Sequence, residues 1–127
     1  ATDILYRLKC NIREHLRQAV KYGNTQFTRV ATVEKNLGCT MEQFRQHIES
    51  KFLPGMSWDN NGRGTDKWHL DHIIPLAAIK DISDTALINR ICHYTNYQPL
   101  WEKDNLSKSD RYDPATVIPI LAENVSI

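Results

Sequence analysis

Leu5, Leu8, Ile12, Leu16 and Ala19 recur at three- and four-residue steps, which places them on one side of a helix and predicts that helix from about Asp3 to Tyr22, capped by Gly23. The polar positions on the same segment have a pattern of their own. Lys9, Arg13, Arg17 and Lys21 fall four apart, on a stripe turned away from the Leu/Ile face, and are candidates to track phosphates. After a polar connection, Thr32 to Leu37 predicts a short helix ended by Gly38. Thr40, with Gln43 three residues on, forms a capping-box pattern. It opens a helix to about Phe52 that turns Met41, Phe44, Ile48 and Phe52 inward, before Pro54 and Gly55 end it.

The period then changes. From Asp59 to Asp66 every residue favours turns, which predicts a flexible loop. Trp68, Leu70 and His72 alternate with His69, Asp71 and Ile73, a strand running to about Ile74 that Pro75 closes. Asp84 to Cys92 reads as helix with Ser83 or Asp84 as cap, Tyr94 to Leu100 as a second short strand, and Glu102 to Lys108 as a short helix. No internal repeat occurs, and residues 110–127 carry no readable pattern. Helices followed by strand, strand and helix predict an α+β class in one domain: a helical part over 1–56, a core over 66–110 and an extension over 111–127.

Composition narrows the classes. With 127 residues, 41% of them apolar and 24% charged, the chain suits one modest globular core rather than disorder or a fibre. No apolar run approaches a membrane span and no signal-like segment leads the chain, so the expected address is the cytoplasm, with no membrane partner. Cys10, Cys39 and Cys92 are odd in number and widely spaced, as befits reduced thiols rather than a disulfide framework. A net charge of +1 makes overall attraction to nucleic acid weak, so any such binding depends on local clusters. Arg7, Lys9, Arg13, Arg17 and Lys21 form one; acids gather later in the chain.

The stretches with chemical content are Trp68-His69-Leu70-Asp71-His72-Ile73-Ile74-Pro75 and Asn96-Tyr97-Gln98-Pro99-Leu100-Trp101-Glu102-Lys103-Asp104-Asn105-Leu106-Ser107-Lys108. Phosphodiester hydrolysis requires a base for water and a cation to neutralise charge on the phosphate and the leaving oxygen. An Asp-His pair at a strand end can serve both needs, since strand neighbours point to opposite sides and a bend can turn one of them to the water. Asn105, on the next helix, can complete a sparse oxygen grip on an ion. His69 shares a strand face with Asp71, where it can steady Asp71, touch a phosphate or enter the ion's shell; a supporting role is the expectation. Arg63 and Lys108 are further candidates for phosphate contact. Trp58, Trp68 and Trp101 suit the core, His93 a helix end, and His15 and His47 carry no signal.

These segments resemble the HNH endonucleases, the ββα-metal or His-Me finger family, whose pattern is Asp-His, a central Asn in an N-x-Q-P/A-L context, and a third His or Asn opening the last helix. Asp71-His72, Asn96 and Asn105 match it, with Lys108 three residues on, and the likeness spans residues 5–110. Leu37-Gly38-Cys39, Phe52 through Trp58 and His93 through Trp101 make it closer still to small phage and bacterial members, which implies a bacterial or phage-infected host cell as setting. The resemblance implies a helical N-terminal part packed on a ββα-metal core and hydrolysis of double-stranded DNA. It implies His72 as general base and Asn96 as the loop brace of the catalytic pair, with Asp71 and Asn105 as ligands of a single Mg²⁺ or Mn²⁺. Glu102 and Asp104 stand where many relatives carry zinc-binding cysteines, so no structural zinc is expected, and the core must rest on Trp68, Ile73, Leu76, Tyr97, Leu100 and Trp101. The same fold could also serve as a non-catalytic DNA-binding module or as an RNA-cleaving, toxin-like nuclease.

Overall fold

In a computed structural model, residues 2–23, 33–81 and 89–108 are described. Helix α1 spans Thr2–Gly23, and its apolar stripe of Leu8, Ile12, Leu16 and Ala19 is buried as the spacing predicts. Helix α2, Val33–Leu37, ends at Gly38, whose φ of +84° suits glycine and whose N–H donates to the Glu34 carbonyl (2.8 Å). Helix α3, Met41–Ser50, opens on the expected capping box: Gln43 N–H donates to Thr40 Oγ1 (3.1 Å) and Thr40 N–H to Gln43 Oε1 (2.9 Å). It stops two residues before Phe52. Lys51 N–H bonds the Ile48 carbonyl and Phe52 N–H that of Glu49, tightening the last turn ahead of Pro54. Phe52 still turns inward, against Trp58 and Trp68.

Strands β1, Trp68–His72, and β2, Tyr97–Trp101, pair antiparallel with Trp68 opposite Trp101 and His72 opposite Tyr97. Both are shorter than the sequence pattern. Past His72 the Ile74 backbone is taken up by the Asn96 side chain, and residues 94–96 form a 3₁₀ turn capped by His93 before β2 begins. Helix α4, Glu102–Lys108, follows β2 directly, as expected. Two further 3₁₀ turns, Trp58–Asn60 and Leu76–Asp81, were not foreseen; the second packs Ala78 and Ile79 against α1. The expected helix over 84–92 falls mostly outside the described residues, with 89–91 helical, and the extension over 111–127 lies outside them altogether.

The class is α+β, helices with one small antiparallel pair. The core is centred on α1 and α3 as much as on the sheet. Trp68 and Tyr97 are buried in it, whereas Ile73, Leu76 and Trp101 pack against its edge and Leu100 is half-buried. Among the described residues no helix is long and apolar enough to cross a membrane.

Candidate functional site

Alternation along β1 sorts the informative residues into two layers. Trp68, Leu70 and His72 face the core with Tyr97, while His69 and Asp71 face α4 and meet its side chains. The two layers come together at an open cleft of about 280 Å³ at the end of β1, lined by His69, Asp71, His72 and Asn105, with Gln18 and Tyr22 of α1 across from them.

His72 is 9% exposed, and its Nε2 is buried without a hydrogen-bond partner. Its ring lies 4.2 Å from that of Tyr97 and 4.9 Å, edge-on, from that of His15. Burial, followed by the neighbouring His15 and Lys108, holds its pKa well below the ordinary histidine value, so the ring is neutral at neutral pH. His15 is itself pushed down to about 4, chiefly by burial, and its Nδ1 is 3.1 Å from the Tyr97 hydroxyl. His47 Nε2 reaches the Tyr97 carbonyl at 3.3 Å, so Tyr97 is held at both ends by histidines.

Asp71 is 6% exposed. Gln98, directly opposite on β2, donates from Nε2 to its Oδ2 (2.9 Å). Lys108 Nζ stands 3.4 Å from Oδ1 and donates more closely to the His72 carbonyl (2.9 Å). Asn105 Nδ2 lies 3.2 Å from His69 Nδ1. An amide nitrogen has no lone pair to accept with, so it donates here, fixing His69 with its proton on Nε2 and leaving the Asn105 oxygen unused by this bond. His69 Nε2 in turn is 4.0 Å from Glu102 Oε1, which accepts from the Gly64 N–H (3.0 Å). His69 thus orients Asn105.

Asn96 is fully buried beneath the cleft. Its Nδ2 donates to the carbonyls of Ile74 (2.9 Å) and Ile91 (2.8 Å), its Oδ1 accepts from the Ile74 N–H (2.9 Å), and its own carbonyl accepts from Ile73 (2.9 Å). One side chain therefore ties the end of β1 to the segment entering β2.

As a cation site, the donor set is sparse: among the described residues no three His, Cys, Asp or Glu side chains stand together. One carboxylate oxygen and one amide oxygen remain. Asp71 Oδ1 carries only a long ammonium contact, beyond the usual 2.7–3.2 Å of an N–H···O bond. Both are hard oxygen donors, the type an oxygen-seeking divalent ion takes.

Of the residues singled out in the sequence, His69, Asp71, His72 and Asn105 share this cleft, Asn96 lies under it, and Lys108 is engaged with Asp71 rather than directed outward. Arg63 lines a neighbouring groove. Lys9, Arg13, Arg17 and Lys21 are exposed and line neither, and Arg17 pairs with Glu14 at 2.7 Å. The face of α1 that meets the site carries Arg7, Asn11, His15, Gln18 and Tyr22. Sequence reasoning passed over it, although these positions recur at four- and three-residue steps on the other flank of the apolar stripe.

No family model matches the chain, and no solved structure matches it. An uncharacterized protein of Acanthamoeba polyphaga mimivirus is 34% identical over 114 residues, 90% of this chain and 47% of the viral protein, so the chain spans about half the length of that curated relative.

Proposed function

We propose that this chain is a divalent-metal-dependent DNA endonuclease of the HNH type, with β1, β2 and α4 as its ββα-metal core. The observation that carries the reading is His72: a neutral imidazole that lines a cleft also holding Asp71 and Asn105. Because Nε2 is sealed inside, the base acts through Nδ1, and the buried Nε2 keeps its proton against the His15 and Tyr97 rings. His72 takes a proton from water; the hydroxide oxygen bonds to phosphorus as the P–O3′ bond breaks. The 3′ oxygen collects a proton from solvent, giving 5′-phosphate and 3′-hydroxyl ends. Asp71 Oδ1 and the Asn105 oxygen would hold Mg²⁺ or Mn²⁺, which would supply the charge neutralisation that phosphodiester cleavage needs. Gln98 and His69 hold the two ligands in place, and Asn96 fixes the backbone between the strands.

The Lys108 ammonium beside Asp71 favours a second reading, a DNA-binding module in which this ion pair closes the site permanently. Supercoiled plasmid with and without Mg²⁺ separates the two. Mg²⁺-dependent nicking that falls about 10²–10⁴-fold in His72→Ala, with the fold intact, is the expected result. Nicking by His72→Ala at the wild-type rate refutes the assignment of the base, and no nicking by wild type leaves the binding module.

A further inference from the structure

Next to the cleft runs a groove of about 400 Å³, lined by Arg7, Asn11 and His15 of α1 and by Asn61 and Arg63 of the loop before β1. It shares His69 and Leu70 with the cleft, so the two adjoin. We propose that this groove binds a flanking phosphate of the nucleic-acid strand whose reacting phosphate lies at His72, an inference that rests on the nuclease reading.

Arginines line the groove from two separate elements, and a guanidinium offers a planar fork of donors suited to phosphate oxygens. Arg7 uses one nitrogen on the Trp58 carbonyl, at a long 3.4 Å, which leaves the rest of its fork for a ligand. The one carboxylate in the lining among the described residues, Glu102, already accepts from the Gly64 N–H and stands 4.0 Å from His69 Nε2. Among the described residues no Trp, Tyr or Phe lines the groove, and its arginine and asparagine side chains present donors for a sugar-phosphate backbone. The placement also relocates the phosphate track on α1, from the outer lysine and arginine stripe to the face next to the apolar one.

The test measures binding of a short DNA duplex at a series of salt concentrations, without divalent ions, in a His72→Ala background. Replacing Arg7 and Arg63 together by Gln should flatten the slope of log affinity against log salt by about 0.9, the value for the one phosphate they share. Replacing both by Lys should restore the slope, since the charges return. The Gln set at Lys9, Arg13, Arg17 and Lys21 serves as the comparison arm. An unchanged slope in the Arg7/Arg63 pair overturns the proposal, as does a full-length protein that binds no duplex. If inorganic phosphate protects the groove while the duplex slope stays unmoved in the pair, it is a small-anion site and the proposal also fails. Failure of the nuclease reading is distinct: wild type that leaves plasmid uncut, with the slope change present, removes catalysis and keeps the groove as a nucleic-acid subsite.

Discussion

His15 should make the protein measurably less stable in mild acid, and the size of the effect follows from its environment. The half-buried ring packs against His72 and Tyr97 beside the groove, and burial pushes its pKa from 6.5 down to about 4. A histidine with a depressed folded-state value stays neutral in the fold while the unfolded chain takes up the proton first. Its contribution is therefore intact above pH 6.5 and is lost as pH falls from there toward 4. At 1.36 kcal/mol per unit, the loss between pH 7 and pH 5 is about 2 kcal/mol, rising to about 3 kcal/mol near pH 4. His15→Gln keeps a polar partner for the Tyr97 hydroxyl and does not titrate. Urea unfolding of both proteins at pH 7 and pH 5, in a His72→Gln background because His15 also lowers the His72 pKa, isolates the term, since His93 titrates in both and cancels in the difference. The variant should lose about 2 kcal/mol less than its His15 parent over that interval. Parallel losses would mean that His15 is not held neutral in the fold, and its packing behind His72 would have to be abandoned.

Asn96→Ala strands the Ile74 N–H and the carbonyls of Ile74 and Ile91, and should cost about 3 kcal/mol in urea unfolding with an unchanged denaturant slope; a loss below about 1 kcal/mol would refute its bracing role. Gly38→Ala meets both a φ of +84° and His93 Nε2 at 2.5 Å from the new Cβ, so a drop of more than about 1 kcal/mol is expected, and a neutral result would contradict the contact. Asn105→His should move the metal profile of plasmid nicking toward Zn²⁺ and Ni²⁺ and keep some activity, while Asn105→Ala should raise the Mg²⁺ concentration needed; full Mg²⁺-dependent activity in Asn105→Ala would show that its oxygen is not a ligand.

What local chemistry dictates could be read directly from the chain. The 3.6-residue recurrence of Leu8, Ile12 and Leu16 set α1, the Thr40/Gln43 pair set the start of α3, the alternation of Trp68 to His72 set β1 and its two faces, and the span of α4 agrees at both ends. These features depend on neighbours within a turn or two, so a short window contains their cause. The grouping of His69, Asp71, His72 and Asn105 at one cleft was also legible, because β2 and α4 are contiguous and an antiparallel partner must fold back on β1.

The remainder was decided by contacts between distant segments. His15 carried no signal, yet it bonds Tyr97, 82 residues away, because the packing of α1 on α3 and on the 76–81 turn brings that flank of the helix to His72. The same packing takes the Lys9–Lys21 stripe out of the site and brings Arg7 in beside Arg63. Lys108 offered itself as a surface cation until the fold set a buried carboxylate 3.4 Å away, and the ends of β1 and β2 were fixed by one buried amide, Asn96, that takes up the backbone groups a longer ladder would have used. Hydrophobic periodicity specifies which face of an element is buried; which polar groups meet at the seam depends on the angle and depth of packing, and these are set only when the whole core closes.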